Sequence, residues 1–294
     1  MQHSKAAAFL ALTKPRIVEL LLVTTVPAMI VAAEGRVPSF WLIAATLIGG
    51  SLAAGGANTI NMILDQDIDK KMARTRHRPL VTGAVKTREA IVFAGILTVG
   101  SCAWLWFLVN PLAAVLAASA ILFYVLVYTL LLKRTSTQNI VIGGAAGAVP
   151  PLVGWAAVTG TLDWPPVLLF VIVFYWTPPH FWALAICYRS DYKTADIPML
   201  PSVAGIAPTA QRILRYTIIL WLFTFAFAWV ADMGLIYWTA AAILGAVFTF
   251  FAVQLLRCLD TKKAMQVFRF SITYVLLLFA AIVIDELVVV NGMI

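Results

Sequence analysis

Charged side chains are scarce in this sequence. Only 12% of the 294 residues are Asp, Glu, Lys or Arg, whereas 62% are hydrophobic, and the mean hydropathy is +0.94. Soluble domains carry roughly 25% charged residues, so this composition excludes a soluble fold. The charged residues form short clusters separated by apolar runs of about twenty residues, the length that crosses a bilayer core. The sequence therefore predicts an all-α polytopic membrane protein.

Cysteine is rare as well, with three in the chain. Cys102, Cys187 and Cys258 lie far apart, and two of them fall within or at the end of apolar runs. This spacing excludes a secreted disulfide scaffold. No pair of His and Cys residues has the spacing of zinc ligands either. The three cysteines are therefore predicted to be core thiols.

Nine apolar stretches are long enough to cross a membrane. They run roughly over residues 17–34, 40–62, 89–108, 112–132, 139–158, 165–187, 212–231, 235–256 and 270–290. If the amino terminus is cytoplasmic, all of the 21 basic residues except Arg36 fall in inner segments. Because basic residues concentrate on the cytoplasmic side, this asymmetry supports that orientation and predicts a periplasmic carboxyl terminus. The net charge of +8 is thus explained by topology, and no nucleic-acid partner is predicted.

Two inner connections, at about residues 65–88 and 189–211, are long for a compact membrane protein and are predicted to be functional. Each follows an inward-running helix, so Asp65 and Asp191 are expected to lie on one side of the membrane and to meet over a single cavity. The chain is predicted to form a single domain over residues 1–294. Neither a cleavable signal peptide nor an Arg-rich presequence is evident, which favours the bacterial inner (plasma) membrane.

The most informative segment ends the second apolar stretch. Asn61, Asp65 and Asp69 are spaced four residues apart, and on a continuing helix each step advances about 400°, so their side chains form one polar stripe. Asp67 points elsewhere. Carboxylates at the end of a membrane helix are costly and indicate function by default. Two carboxylates with an amide above them suit Mg²⁺, which leaves coordination positions open for phosphate oxygens.

A basic cluster accompanies the acidic one. Arg74 and Arg78 follow the acidic segment, and Lys133, Arg134 and Lys193 lie in the other inner loops. A metal-bound diphosphate needs positive charge on the side opposite the metal, so these five residues are predicted to bind diphosphate. The alternative is that the acids only neutralise Lys and Arg side chains at a solvated helix end, while the cations anchor the topology.

The sixth apolar stretch contains two adjacent prolines followed by His180, about two turns from its inner end. Proline in a membrane helix breaks backbone bonding and marks a kink or a cavity wall. A histidine at this depth either contacts a substrate or cofactor, including iron, or bonds to a neighbouring helix. Both alternatives stay open. In the loop that follows, Asp191 and Lys193 taken alone are also typical of a polar turn.

These motifs resemble those of the intramembrane prenyltransferase superfamily of the UbiA type, which includes 4-hydroxybenzoate polyprenyltransferase. The resemblance covers nearly the whole chain and rests on residues 13–16, 61–69, 74–80, 133–135, 139–144, 177–182 and 198–201. The motif of Asn61, Asp65 and Asp69 is specific to the superfamily. The Thr-Pro-Pro-His-Phe-Trp stretch that contains His180 is similar to the branch of the superfamily that acts on haem.

The resemblance implies Mg²⁺-dependent transfer of a farnesyl group from farnesyl diphosphate to a vinyl group of haem b, which gives haem O. It implies that Asp65, Asp69 and Asp191 bind the metal, that Asn61 acts with them as a catalytic residue, and that His180 contacts the haem. Haem b is then a substrate, and the resemblance also implies nine helices around a central cavity that opens to the cytoplasmic leaflet. The implied partners are the lipid bilayer and, downstream, a haem A synthase or terminal oxidase assembly.

Two other functions remain open. The same fold serves other aromatic acceptors, such as a quinone precursor or a chlorin. An ion-coupled transporter is a different class, since acidic residues in spans relay cations, but Asp285 and Glu286 lie toward the outer end of the last stretch rather than at the midplane.

The second Asp motif departs from the superfamily's pattern. Cys187 occupies its first acidic position, so Lys193 is expected to supply part of that role.

Overall fold

The computed structural model describes the backbone of residues 4–290 and the side chains of residues 4–15 and 23–288. Across this part of the chain the regular structure is helical, without strands. The helices are α1 (Lys5–Leu12), α2 (Pro15–Ala32), α3 (Phe40–Leu64), α4 (Gln66–Lys71), α5 (Pro79–Thr82), α6 (Thr87–Leu108), α7 (Pro111–Leu122) with a π-helical continuation (Phe123–Leu132), α8 (Asn139–Ala148), α9 (Pro150–Thr159), α10 (Trp164–Cys187), α11 (Arg189–Thr194), α12 (Leu200–Val203), α13 (Ile206–Val230), α14 (Leu235–Cys258) and α15 (Thr261–Val290).

Eight helical spans within the described residues are long and apolar enough to cross a membrane. They are α3, α6, α7 with its continuation, α8 together with α9, α10, α13, α14 and α15, and they correspond to the second to ninth predicted stretches. The first predicted stretch corresponds to α2, whose described apolar part, Val23–Ala32, is shorter. The prediction of an all-α polytopic membrane protein is confirmed, whereas the count of nine spans stays a prediction.

Polar residues in the outer connections begin two of these spans. The hydroxyl of Ser39 accepts a hydrogen bond from the N–H of Leu42 at 3.2 Å, at the start of α3. The side chain of Asn110 accepts one from the N–H of Ala113 at 2.8 Å, at the start of α7. Each bond satisfies a backbone donor that the first helical turn leaves free. The first residues of α3 and α7 are therefore specified by the local sequence.

Several helix bounds differ from the predicted ones. The stretch predicted over residues 139–158 is divided at Val149, because Pro150 and the proline after it cannot donate backbone hydrogen bonds to α8. Helix α13 begins at Ile206 rather than at about 212, and α15 begins at Thr261 rather than at about 270, because their polar first turns are also helical. Cys258 is exposed at the end of α14, so the prediction of a core thiol is wrong for this residue.

The π-helix was not predicted, because a wider helical turn has no simple sequence pattern. It ends immediately before Lys133 and Arg134, and the N–H of Lys133 donates to the carbonyl of Tyr128, five residues earlier, at 2.8 Å. π-Helical segments occur frequently at functional sites. Tyr128 packs directly on Gly143 of α8, where an added Cβ would lie 2.3 Å from the tyrosine ring. The glycine therefore permits the close approach of α8 to the π-helix.

Both long inner connections join helices that pack closely. Glycines allow α3 to approach α6, since a Cβ added at Gly49 would lie 2.5 Å from the side chain of Leu105. A Cβ added at Gly56 would lie 2.6 Å from the hydroxyl of Thr98. Helices α10 and α13 share the main apolar core with α14 and α15, and Trp182 is fully buried there. The two loops that carry the predicted site residues are thus anchored on rigid helix pairs.

Candidate functional site

The acidic stripe lies at the junction of α3 and α4. Although α3 ends at Leu64, helical bonding continues through the junction. The N–H of Asp65 donates to the carbonyl of Asn61 at 3.0 Å, and the N–H of Asp69 donates to that of Asp65 at 2.8 Å. Asn61, Asp65 and Asp69 are 2%, 0% and 3% exposed, whereas the side chain of Asp67 is 61% exposed. The structure therefore forms the predicted stripe and buries it.

Asn61 connects the stripe to two other segments. Its Nδ2 donates to Oδ2 of Asp65 at 2.7 Å and to the hydroxyl of Thr129, in the π-helix, at 3.2 Å. Its Oδ1 accepts a hydrogen bond from Nζ of Lys14 at 2.8 Å. A buried amide requires such partners. Sequence reasoning gave no role to Lys14 or Thr129, and the one available signal was the place of Lys14 within the recognised stretch of residues 13–16.

Two predicted diphosphate-binding cations pair with the predicted metal ligands. Lys133 forms an ion pair with Asp65. Nη1 of Arg78 lies 2.8 Å from Oδ1 and 2.7 Å from Oδ2 of Asp69. These pairs match the prediction that the acids neutralise neighbouring bases, but the predicted solvated helix end is absent here, because both carboxylates are buried. Buried charges of this kind are costly unless they are paired or bind an ion.

Asp67 lies outside the buried stripe and pairs with Arg134. The guanidinium of Arg134 donates to both oxygens of Asp67, at 2.7 and 2.8 Å, and to the carbonyl of Leu64 at 2.9 Å. The hydrogen bond from Arg134 is the largest cause of a lowered pKa of Asp67, which is about 2. This carboxylate is therefore ionised at neutral pH and holds Arg134 at the end of α3.

The cations around the stripe are concentrated enough to influence one another. Lys14 has a pKa well below its usual range, first because it is buried and then because Arg78 and Lys133 repel its charge. Its backbone is in the left-handed region, with φ of 52°, a conformation that non-glycine residues rarely adopt. An anion bound among Lys14, Arg78 and Lys133 would relieve this repulsion. The site is therefore suited electrostatically to a multiply charged anion.

The second inner segment contacts the first, as the repeated pattern predicts. Oδ2 of Asp191 accepts a hydrogen bond from the backbone N–H of Arg74 at 3.1 Å. The guanidinium of Arg74 is 3.5 Å from the hydroxyl of Tyr192, and Lys71 pairs with Asp196 at 3.3 Å. The guanidinium carbon of Arg74 also lies 5.6 Å from the centre of the Tyr188 ring. Lys193, by contrast, is exposed on α11. Thus α11 packs against the loop that follows α4.

A Mg²⁺ ion fits part of this donor set. Oδ1 of Asp65 is buried and accepts no hydrogen bond from the described residues, and its ion-pair contact to Nη2 of Arg134 is long, at 3.9 Å. A carboxylate oxygen in that position has an open acceptor site for a cation. Within the described side chains, no three His, Cys, Asp or Glu residues are close enough to form a metal cluster. Mg²⁺ commonly uses only one or two carboxylates together with substrate phosphates, so two carboxylates suffice.

His180 is buried in α10 and surrounded by rings. Its Nδ1 lies 2.7 Å from the hydroxyl of Ser271 in α15. The ring stacks on Trp176 with a centroid distance of 4.3 Å, and Phe181 and Phe268 lie at 4.9 and 4.6 Å. The predicted bond to a neighbouring helix is therefore present. A contact of His180 with iron stays a prediction.

These observations define a multi-pass helical membrane protein that encloses acidic and basic side chains at one end of its bundle, a class of site suited to a metal and a polyanion. The chain belongs to the UbiA prenyltransferase family, whose model matches residues 21–280. This membership confirms the resemblance found in the sequence. The protein is therefore a prenyltransferase.

Curated relatives match the chain over nearly its full length. The chain is 50% identical over 282 residues to a protein of Mycobacterium avium named protoheme IX farnesyltransferase, covering 95% of this chain and 91% of the relative. It is 52% identical over 281 residues to a protein of the same name from a Parafrankia species, with 95% and 90% covered. A third such protein, from Renibacterium salmoninarum, is 48% identical over 293 residues, with 97% and 91% covered.

Solved structures share the fold at low sequence identity. A structure of digeranylgeranylglyceryl phosphate synthase has a TM-score of 0.79 at 18% identity, and the match covers 97% of this chain and 99% of the chain in that structure. A UbiA homologue from Archaeoglobus fulgidus, bound to GPP and Mg²⁺, has a TM-score of 0.65 at 16% identity, with 94% and 99% covered. The predicted helical architecture is thus that of known UbiA proteins.

Proposed function

We propose that this protein transfers the farnesyl group of farnesyl diphosphate to a vinyl group of haem b, with Mg²⁺, and produces haem O. The observation that carries the proposal is the buried stripe of Asn61, Asp65 and Asp69, bordered by Lys14, Lys133 and Arg78. The choice of acceptor is supported by the shared name of relatives about half identical to this chain.

The cations that pair with the stripe are the groups that bind the diphosphate. In the structure, Lys133 and Arg78 neutralise Asp65 and Asp69. When the substrate arrives, its phosphate oxygens offer these cations a second set of acceptors, and Arg guanidinium and Lys ammonium groups bind phosphate strongly. Each cation then lies between carboxylate and phosphate. Arg134, Arg74 and Lys193 add positive charge from the surrounding loops.

Asp65 and Asp69 are the proposed metal ligands, with Asn61 supporting them and Asp191 contributing from the second segment. Bound Mg²⁺ supplies Lewis acidity that stabilises charge on the departing diphosphate. The free Oδ1 of Asp65 is the oxygen best placed to take part. Asp191 is now occupied by the backbone of Arg74, so its contribution requires that this contact opens.

The chemistry divides into three bond changes. The bond between the allylic carbon and the diphosphate oxygen breaks, and both electrons leave with the diphosphate. The allylic carbon then bonds to a vinyl carbon of haem b. Water adds to the resulting cation, which forms the hydroxyl group and releases one proton. Apolar walls must exclude water until that last step, and Tyr124 and Tyr128, half-buried and stacked at 5.2 Å, form one such wall, in which the hydroxyl of Tyr124 lies 3.5 Å from Oδ1 of Asn58.

The acceptor is proposed to contact His180, the histidine of the Thr-Pro-Pro-His-Phe-Trp stretch. The aromatic rings of Trp176, Phe181 and Phe268 around it provide the kind of apolar surface that packs against a porphyrin. The chain forms one domain in the bacterial inner membrane, with a cytoplasmic amino terminus and a periplasmic carboxyl terminus, and it supplies haem O to a haem A synthase or a terminal oxidase.

The test is a mass assay on the purified protein. Incubation with haem b, farnesyl diphosphate and Mg²⁺ should yield a haem that is heavier by one farnesyl group and one hydroxyl group. Parallel reactions replace haem b with a hydroxybenzoate, a naphthoate or a chlorin. Product from one of these acceptors but none from haem b would assign the same chemistry to a different substrate. Cation flux in vesicles without any prenylated product would instead indicate a transporter.

A further inference from the structure

Ser271 of α15 holds two aromatic side chains of α10. Its backbone carbonyl accepts a hydrogen bond from the indole N–H of Trp176 at 2.7 Å. Its hydroxyl lies 2.7 Å from Nδ1 of His180 and 2.6 Å from the carbonyl oxygen of Phe268. Ser271 is fully buried. These contacts connect one serine to the histidine that the proposed function assigns to the acceptor.

Counting protons fixes the direction of these hydrogen bonds. A serine hydroxyl has a single proton to donate. The carbonyl of Phe268 can only accept, so the proton of Ser271 lies on that bond. In the remaining contact, Ser271 must accept and Nδ1 of His180 must donate. His180 is therefore held as the tautomer that is protonated on Nδ1.

The surroundings of His180 keep the ring neutral. The rings of Trp176, Phe268 and Phe181 lie within 5 Å of it, centroid to centroid. None of these rings carries a formal charge, and an apolar environment disfavours a charged imidazole. A neutral ring with the proton on Nδ1 keeps its lone pair on Nε2. That is the form in which imidazole binds a metal ion.

We propose that Ser271 is a positioning residue for the haem acceptor, because it fixes His180 in the tautomer whose Nε2 binds the haem iron. A hydrogen-bond partner on one imidazole nitrogen selects the nitrogen that ligates a metal, and such partners typically change metal affinity by about 10- to 100-fold. The packing of Trp176, Phe181 and Phe268 sets the plane of the imidazole, and the hydroxyl of Ser271 selects the nitrogen that carries the proton. This inference rests on the proposed function in one respect, namely that haem b is the acceptor.

The tautomer can be measured without haem. Full-length protein labelled with ¹⁵N-histidine, in detergent, should show one histidine protonated on Nδ1 by NMR, and that signal should be absent in His180→Ala. In Ser271→Ala this histidine should no longer be held on Nδ1, while the bond from Trp176 to the backbone carbonyl of residue 271 is retained. A wild-type His180 that is protonated on Nε2 would overturn the assignment of Ser271, whatever the enzyme's activity.

Haem binding supplies the second readout. Optical titration with haem b, without farnesyl diphosphate, should show about 10-fold weaker binding and a changed Soret band in Ser271→Ala. Ser271→Thr, which retains the hydroxyl, should restore both. Ser101→Ala is the matched control, because Ser101 is equally buried and donates to the carbonyl three residues earlier, at 2.8 Å, in α6. The KM for haem b should rise in Ser271→Ala while the KM for farnesyl diphosphate stays the same.

The outcomes separate the two proposals. Wild-type haem binding in Ser271→Ala would show that the serine does not position the acceptor. An unchanged Soret band in His180→Ala would remove iron ligation by His180, and with it the role of Ser271, although farnesyl transfer would stand if product still formed. Absence of any farnesylated haem from the wild-type protein, with the Nδ1 tautomer present, would overturn the proposed function itself.

Discussion

Arg78 contacts both carboxylate oxygens of Asp69 through one guanidinium nitrogen, at 2.8 and 2.7 Å. The geometry leaves the other nitrogens of the same guanidinium available to a second acceptor. A phosphate group can thus bind to Arg78 while Asp69 still holds the arginine in place. The ion pair is therefore a preorganised anion site, in which the acid positions the base before the substrate arrives.

The first prediction concerns Asp65. We expect Asp65→Asn to reduce kcat by at least about 100-fold, because the variant loses a buried negative charge that binds the metal, and with the metal the stabilisation of the departing diphosphate. The variant should still fold, because the amide can accept a hydrogen bond from Asn61, but its thermal unfolding temperature should fall, because Lys133 loses its buried ion-pair partner. Product formation followed by mass spectrometry measures the first quantity, and a thermal melt in detergent measures the second.

Asp67→Asn is the matched control for that substitution. Asp67 is two residues away, is mostly exposed and pairs with Arg134. An exposed ion pair contributes only ~0.2–1 kcal/mol to stability, and Arg134 keeps its hydrogen bond to the carbonyl of Leu64, so this variant should retain activity within a few fold. Equal losses of activity in Asp65→Asn and Asp67→Asn would show that the buried stripe has no special role.

A second prediction concerns the metal. Removal of divalent ions with a chelator should abolish turnover, and Mg²⁺ should restore it. Because Asp65 and Asp69 alone form an incomplete coordination shell, the metal and the diphosphate should bind together. Addition of the Mg²⁺–diphosphate complex at about 100 times its dissociation constant should stabilise the protein by ~2.7 kcal/mol, measured as a thermal shift. A shift of the same size with Mg²⁺ alone would point to a metal site that is complete without substrate.

The fold was largely predictable, because the length of an apolar run reports the thickness of the bilayer directly. The exceptions have local causes. The pair of prolines at 150 and 151 divides one span, and the helical first turns of α13 and α15 are too polar for hydropathy to detect. The π-helix depends on Tyr128 fitting against Gly143, which is a tertiary contact that no local pattern encodes.

The site was predictable where residues share one helix. The spacing of Asn61, Asp65 and Asp69 was sufficient to place them on one face. Contacts between distant segments were not accessible in the same way. Lys14 reaches Asn61 across 47 positions of sequence, and Ser271 reaches His180 across 91, so neither leaves a periodic pattern. The role of Asp285 also depends on a contact between distant segments. This buried acid near the outer end of α15 accepts a hydrogen bond from the N–H of Tyr237 at 3.1 Å and so caps α14.

A third prediction tests the residue that sequence reasoning missed. Lys14→Met retains the length of the side chain but removes the charge beside Asn61. We expect the KM for farnesyl diphosphate to rise about tenfold, since one charge-assisted contact to an anion contributes roughly 1.5–3 kcal/mol, while the KM for haem b stays the same. Lys5→Met is the control, because Lys5 is exposed and pairs with Glu89 on the surface. A similar rise in KM in both variants would reduce Lys14 to a general contributor of charge.

The fourth prediction tests whether the π-helix positions the site. Gly143→Ala should displace Tyr128, because the new methyl group would lie 2.3 Å from its ring, and overpacking of this kind costs about 1–3 kcal/mol. The displacement should also lower kcat, since the π-helix carries Thr129 and ends at Lys133. Gly147→Ala is the matched control one turn along the same helix, where an added Cβ has no neighbour within 4 Å. Thermal melts and turnover compare the two variants. If Gly143→Ala lost stability but retained full turnover, the approach of α8 would be a packing feature without influence on the carboxylate stripe.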